Sequence, residues 1–308
     1  MVPAVAHGIV GILNPDETIA CRVCGAATHA AGEKIGRLHP RLYHLRRCDS
    51  CGFAFVADPD TATDVYDEAY YRGKGADPLL DYVFELERPD RTVRRFEWTG
   101  VERIVRSMHS LSPQTRWLDY GCGNGGLVRW AREHTPVQAF GFEEGWIADE
   151  ARARGIPILT SAQVESNGPY DAITAVEVLE HVADPKAFVE RVARLLAPGG
   201  VFFYTTGNVT RRARRLAQWG YVVPEIHISF FEPRTMERLF ADAGLLARPL
   251  PWSRGFAEIV TFKILKNLGV RQRSALFGAV PWGILARVAD ALSGVSAFPA
   301  GIKPESVV

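Results

Sequence analysis

WLDYGCGNGGL, residues 117–127, places four glycines in six positions (Gly121, Gly123, Gly125 and Gly126), directly after an apolar run that ends in an acid, Asp119. A backbone that bare is needed where a chain turns with positive φ or approaches a ligand closely. Gly121, Gly123 and Gly126 satisfy G-x-G-x-x-G, a spacing that seats pyrophosphates at the start of a helix. That spacing alone is weak evidence. Its neighbours decide what the loop holds.

From residue 116 onward, short apolar runs alternate with helical patterns: WLDY, LVRWAREH, VQAFGF, WIADEARARG, IPIL, YDAITAV, PKAFVERVARLLAPGG and VFFYTTGN. The last helical pattern is expected to stop at Pro198-Gly199-Gly200. Such alternation predicts an α/β fold, a doubly wound, mostly parallel, Rossmann-like sheet covered by helices on both faces. Ligands of these sheets lie beyond the carboxyl ends of the strands. The glycine loop, Glu143, Glu177 and Thr206 all fall at such ends. The stretch after Asn208, residues 208–232, is inserted where a lid or substrate wall would stand. The tail offers a strand at 245–252, two amphipathic helices and a last short strand near Phe298–Lys303.

The cysteines organise the other end. Cys21-Arg-Val-Cys24 and Cys48-Asp-Ser-Cys51 are two C-x₂-C pairs, each followed by glycine and separated by 23 residues. Paired knuckles of this kind converge four thiolates on one ion, which predicts a structural Zn²⁺ site of Cys21, Cys24, Cys48 and Cys51 with no open coordination position. The fifth, Cys122, is expected to fill space inside the glycine loop. The chain thus divides into a zinc ribbon (1–58), a helical cap (59–115) and an α/β core with added C-terminal helices (116–308).

With 308 residues and 47% hydrophobic content, the chain can bury a substantial core. A formal charge of +1 gives no reason to expect a nucleic-acid partner. The first residues lack the basic and apolar regions of a signal peptide. The stretch 274–292 is interrupted by Pro281, Arg287 and Asp290, so no transmembrane segment is expected. A cytoplasmic protein is the expectation. Residues 262–273, FKILKNLGVRQR, read either as a helix packed on the core or as a membrane-surface helix. The run Arg211-Arg212-Ala213-Arg214-Arg215 reads either as a solvated face or as a holder of a phosphorylated or carboxylated substrate.

Asp119 decides between cofactors. A carboxylate two residues before the first glycine would face two phosphate charges in a nicotinamide or flavin enzyme, an unfavourable pairing. A cofactor with a cationic amino group and no phosphate suits it. Here LDYGCGNG resembles the first motif of class I S-adenosylmethionine-dependent methyltransferases. The resemblance continues through FGFEEG, YDAITAVEVLEHVADP, LLAPGGVFFYTTGN and PEIHISFFEPRTMERLFADAGL, covering roughly residues 62–250. With the ribbon and the aromatic Tyr70-Tyr71 segment, the chain also looks like the sugar methyltransferases of deoxysugar and polysaccharide pathways.

The resemblance implies S-adenosylmethionine bound by Asp119, Gly121, Cys122 and Gly123, with Glu143 clamping the ribose hydroxyls and Glu144 as its fallback. It also implies adenine-edge contacts from Ala162 and Gln163, with Trp146 covering the ring, and a place for Glu177 at the end of its strand. His227, in the insertion beside Glu225, is the expected general base, since imidazole accepts a proton at neutral pH; His181 is its alternate. Tyr70, Tyr71 and Glu225 are expected on the substrate side. The implied reaction is methyl transfer to a small-molecule or glycan acceptor, a sugar on a nucleotide, polysaccharide or lipid, in carbohydrate biosynthesis. The alternatives are O-methylation of a quinone-like or other small phenol, a non-catalytic cofactor-binding scaffold, and a dehydrogenase.

Overall fold

A computed structural model of the chain describes residues 19–60, 67–75 and 78–305. Residues 1–18 of the expected ribbon, 61–66 and 76–77 of the expected cap, and 306–308 lie outside the described residues.

The described part opens with three strands, β1 (His29–Ile35), β2 (Leu42–Arg47) and β3 (Ala54–Val56). Three helices follow: α1 (Glu68–Tyr71), α2 (Tyr82–Glu87) and α3 (Arg95–Met108). Asp67 and Asp81 start the first two by accepting the amides of Tyr70 and Phe84. The alternating region gives β4 (Arg116–Tyr120), α4 (Gly126–His134), β5 (Gln138–Phe142), α5 (Trp146–Ala153), β6 (Ile158–Leu159), α6 (Ser161–Asn167), β7 (Tyr170–Val176), α7 (Pro185–Leu195) and β8 (Leu196–Thr205). After the insertion come β9 (Ser229–Phe230), α8 (Pro233–Asp242), β10 (Leu246–Arg248), α9 (Arg254–Asn267), α10 (Trp282–Ser293) and β11 (Ala300–Ile302).

The large sheet has the order β10-β11-β8-β7-β4-β5-β6. The pairs from β8 to β6 are parallel, and β11 runs antiparallel to both neighbours. The expected doubly wound sheet is present. Along β4 the side chains alternate between its faces. Leu118 and Tyr120 pack with Phe188 and Val192 of α7 and with Met236 and Phe240 of α8. Trp117 packs on the other face with Val101 and Val105 of α3 and Phe256 and Ile259 of α9. Burying Trp117 and Leu118 completely contributes roughly 2–3 kcal/mol each relative to exposure.

A second, antiparallel sheet has the order β1-β2-β3-β9. Its last strand comes from the 208–232 insertion, so the N-terminal strands and the core share a sheet. Phe53, Phe55 and the cysteines Cys21, Cys48 and Cys51 belong to the same buried cluster as α7 and α8.

Three expectations shift. The helix expected to stop at Pro198-Gly199-Gly200 already ends at Leu195, because Leu196 pairs with Tyr170 and a register shift admits Pro198 into β8. The strand expected over 245–252 shrinks to Leu246–Arg248, since Pro249 and Pro251 have no amide to pair. Residues 262–267 close α9, where Phe262 and Leu265 are buried, so this stretch turns its apolar side inward.

The four glycines have two different reasons. Gly121, Gly123 and Gly125 hold φ of 73°, 53° and 71°, the left-handed region that a side chain resists. Gly126 has helical geometry, but a Cβ there would overlap the Trp98 ring where α3 crosses the start of α4. Gly126→Ala is therefore expected to destabilise by about 1–3 kcal/mol through overpacking. Gly283→Ala, on α10 with nothing near its Cβ, should be neutral or stabilise by up to about 1 kcal/mol. Denaturant unfolding of the two variants checks the pair.

Candidate active site

The glycine loop closes one wall of a pocket lined by Tyr82, Arg94, Glu97, Trp98, Asp119 and Asn124. Asn124 ties it together. Its amide donates to Tyr82 O (2.9 Å) and Glu85 Oε2 (3.2 Å), and its Oδ1 accepts from Gly126 N at the head of α4. Arg94 is buried between two acids, donating from Nε to Glu85 (2.9 Å) and from Nη1 to Glu97 Oε2 (2.7 Å). Arg94 Nη2 and Glu97 Oε1 are buried without a hydrogen-bond partner among the described residues. Buried polar atoms are seldom left so. A ligand with both an anionic and a cationic end would satisfy them.

Asp119 accepts from Thr174 Oγ1 at 2.8 Å and is 5% exposed. Burial pushes its carboxyl up to about 7; Glu97 and Glu143 add to the rise, while the Thr174 hydroxyl opposes it. Glu143 holds the loop as well as facing it: Oε2 accepts from Gly123 N (3.1 Å), and Oε1 from Glu144 N and Gly145 N (3.0 and 2.9 Å). Each carboxylate oxygen retains acceptor capacity for a ribose hydroxyl. Cys122 is buried with its Sγ against Gly141, as a space-filler would be.

Tyr70 and Tyr71 sit on this cofactor side. The Tyr71 hydroxyl crowds Gly145, and its ring lies 6.4 Å from Trp146 and 5.6 Å from Tyr82. Ala162 and Gln163 are exposed at the head of α6, where Gln163 Oε1 accepts from Thr160 N in a capping box. Arg211, Arg212, Arg214 and Arg215 are exposed.

A second cluster stands at the carboxyl ends of β7 and β8. It touches the first, since a Cβ on Gly121 would meet Val178 at 2.6 Å. Glu177 has φ of 54°, an unusual value for a residue with a Cβ. Its carboxylate accepts from Lys263 Nζ (2.6 Å) and Thr205 Oγ1 (2.8 Å). Burial alone would raise its pKa, but Lys263 and Lys266 hold it down at about 2. Glu180, fully buried, accepts from Thr206 Oγ1 (2.8 Å) and the Tyr221 hydroxyl (2.5 Å). Burial, then the Glu177 charge, pushes it up to about 7.

The two expected histidines meet here. His181 Nδ1 donates to Ile226 O (2.8 Å) and His227 Nδ1 to Tyr221 O (2.6 Å), which leaves Nε2 as the basic nitrogen of each ring. Burial, then the neighbouring His181, lowers His227 to about 3, so its imidazole stays neutral. Trp219, Tyr221, His227 and His181 form a continuous run of rings with centroids 4.8, 4.4 and 4.9 Å apart. Ligand atoms of Glu180, His181 and His227 lie within 4.8 Å of one another, a group able to gather around a cation. Glu225, expected on the substrate side, instead faces the β1–β2 hairpin: Oε1 accepts from Leu38 N (2.8 Å) and His39 N (3.3 Å). The next residues along the insertion enter β9, which points its carboxylate away from the rings.

The four paired cysteines also converge. Cys21–Cys51 and Cys24–Cys48 sulfurs are 3.6 Å apart, and all four lie within 4.8 Å. A tetrahedral site with Zn–S bonds of about 2.3 Å has sulfur–sulfur edges of about 3.8 Å, so the set fits that ion.

Sequence reasoning missed Arg94, Glu97, Glu180, Tyr221 and Lys263. Arg94 and Glu97 had a signal, an i,i+3 ion pair beside Trp98 in an apolar helix face; Glu180 had one in Glu-Val-Leu-Glu-His. Lys263 had none, standing 86 residues from its partner.

The raised Asp119 sets a pH-dependent prediction. The native state keeps this proton up to about 7, whereas the unfolded chain releases it near 3.9. Cofactor-free stability should therefore lose a contribution as pH rises from about 4 to 7. Asp119→Asn should raise the cofactor-free Tm at pH 8 and make little difference at pH 4. Thermal scans at both pH values test this.

A family model described as a methyltransferase domain matches residues 73–248. A ubiquinone biosynthesis O-methyltransferase of Caulobacter vibrioides is 37% identical over 193 residues, 54% of this chain and 74% of the relative. Its namesake from a Caulobacter sp. is 41% identical over 167 residues, 45% and 66% of the two chains. Among solved structures, the cyclopropane synthase MmaA2 of Mycobacterium tuberculosis is similar at 17% identity and a TM-score of 0.44, covering 66% of this chain and 82% of that one. The names of these relatives give no support to the sugar-specific part of the expectation. The matched span contains the glycine loop, Asp119, Glu143, Glu177 and both histidines. With that span and sheet, this chain belongs to the methyltransferase-domain family, and is an S-adenosylmethionine-dependent methyltransferase.

Proposed function

We propose that the protein methylates a hydroxyl oxygen of a small planar acceptor, a phenol of the quinone-precursor type. The observation that carries this reading is the run of four rings ending at His181 and His227 beside buried Glu180. Flat aromatic walls favour a flat acceptor over a sugar, by about 0.5–1.5 kcal/mol for each good ring contact. The names of the O-methyltransferase relatives point the same way. Arg94 takes the cofactor's carboxylate, while Glu97 and Asp119 take its ammonium and Glu143 its ribose. The sulfonium is already activated, so the chain supplies alignment and a proton acceptor. His227 Nε2, with His181 as alternate, would take the hydroxyl proton as the oxygen attacks the methyl carbon and the carbon–sulfur bond breaks. With burial holding it at about 3, His227 would be a weak base that passes the proton on. S-adenosylhomocysteine, a neutral thioether, would be the leaving group.

A second reading has its own observation, the Glu180–His181–His227 group. Both rings anchor Nδ1–H on backbone carbonyls, the support common to metal-ligating histidines. A divalent cation there would bind the acceptor oxygen and lower its pKa. In the ribbon, Cys21, Cys24, Cys48 and Cys51 hold zinc in a structural role.

The test is a mass shift of 14 Da, one methyl replacing hydrogen, on a panel of catechols, phenols and nucleotide sugars. Methylation confined to sugars would overturn the acceptor assignment. Arg94→Ala and Asp119→Asn should each weaken cofactor affinity by about 1.5–3 kcal/mol, as loss of a charged hydrogen bond does. His227→Ala should lower kcat by roughly 10²–10⁴-fold with cofactor affinity unchanged. After chelator dialysis and restoration of zinc to the ribbon, a remaining requirement for Mg²⁺ or Mn²⁺ marks the cation reading, because a histidine base needs neither.

Metal analysis should find about one zinc per chain. Cys24→Ser should unfold the ribbon at a lower temperature, preserve cofactor binding and slow methyl transfer, because β3 supports β9 next to His227. Calorimetry and turnover on the same sample check it.

A further inference from the structure

The α9–α10 region presents a surface that the reaction does not use. Ile284, Leu285, Val288 and Leu292 of α10 are 68, 43, 58 and 66% exposed. Positions 284, 288 and 292 repeat every four residues and so share one helix face. The opposite side is anchored: Ala286 and Asp290 are buried, and the Asp290 carboxylate accepts from Ser296 N and Oγ. Leu268 and Leu276, in the connection from α9, are 71 and 78% exposed. Scattered exposed leucines are ordinary, but an ordered apolar stripe marks an interaction surface.

Charge identifies the occupant. Residues 259–304 contain six basic residues and one acid, the buried Asp290. Lys263 pairs with Glu177, Lys303 donates to Leu196 O and Arg271 pairs with Asp81, which leaves Arg273 and Arg287 as exposed cations beside the stripe. An outward apolar stripe among cations, with no exposed acid in the segment, suits an anionic bilayer surface. A second copy suits it less, because a two-fold contact would press the same arginines together. Among the described residues no helix is long and apolar enough to cross a membrane, so the contact is peripheral. Its position is also telling: Gly294, capping α10, accepts from Asn208 Nδ2 (3.0 Å), two residues beyond the Thr206 that bonds Glu180.

We infer that α10 and the preceding turn form a membrane-surface docking site for anionic lipid, next to the acceptor side of the site. The inference does not depend on which acceptor is methylated. The full chain is tested by flotation with vesicles of phosphatidylcholine alone and of phosphatidylcholine mixed with phosphatidylglycerol. The expected result is partition onto the anionic vesicles that weakens with salt. The Ile284→Glu/Leu292→Glu variant should lose it by on the order of 10–100-fold. Cofactor binding and Tm of the variant, both expected to be unchanged, show that the fold is intact. Failure to float, or equal flotation on both vesicle types, overturns the assignment. So does a dimer in light scattering that the double variant dissociates, which would make the stripe a self-association surface.

Discussion

Much of the acceptor side depends on a two-residue strand pairing. Ala54 and Phe55 of β3 pair with Phe230 and Ser229 of β9, and Val56 N donates to Ile228 O at 2.9 Å. Ile228 follows His227 directly, and its own amide donates to Glu180 O at 2.7 Å. One residue, Ile228, therefore joins the N-terminal sheet to the backbone of Glu180 next to His227. A strand this short has little stability alone and must borrow it from its neighbours. The neighbours are several: Glu225 on the hairpin amides, Arg47 on Glu232 (2.5 Å), and Thr235 Oγ1 on Cys51 O (2.8 Å). The cysteine knuckle at 48–51 stands between β2 and β3, so an ion bound there also fixes where β3 begins. The N-terminal sheet is a wall of the site.

The pocket behind the glycine loop carries an electrostatic cost that a proton or a cationic ligand relieves. Glu85, Glu97 and Asp119 are buried with a single buried guanidinium, Arg94, among them. Confining like charges in low dielectric is unfavourable, and the raised Asp119 shows the relief available to an empty pocket: taking up a proton. A cofactor that brings an ammonium and a sulfonium would supply positive charge without protonation, and its carboxylate would suit the unpartnered Arg94 Nη2. Charges prearranged for a ligand favour binding at the expense of the unliganded fold. Stability and cofactor affinity should thus respond to Asp119 in opposite directions.

The parts legible in the sequence are those whose physics is local. Four glycines after an apolar run announce a turn, and the two C-x₂-C pairs announce a converging thiol set, each within a dozen residues. Glu143 was readable because strand length and helix length fix how far the second strand's end lies from the first. Lys263 was not, since an ion pair with Glu177 requires α9 to cross the strand ends, which no window of sequence contains. Glu225 misled for the converse reason: its neighbour His227 lies on the acceptor side, but the bend into β9 turns its own carboxylate to the hairpin. The helix end near Pro198 was misplaced because proline and glycine stop a helix and permit an irregular strand edge alike. The strand's pairing with Tyr170 decided it.

The neutral state of His227 fits the charge sequence of the reaction. The donor arrives with a sulfonium, so an imidazolium facing it would add repulsion at the methyl group. Burial removes that repulsion by holding His227 neutral across the whole working range. Lys263 brings a positive charge nearby, yet Glu177 takes it up at 2.6 Å, which leaves the strand end near neutrality. In the proposed reaction the donor's positive charge would be lost as the acceptor's proton is released, and the group that takes that proton would carry the charge. Glu180 stands against the same rings, accepting from Thr206 and Tyr221, and when ionised would be the counter-charge for a proton taken up there. A carboxylate beside the rings would favour a proton arriving there, an interaction gained only as transfer proceeds.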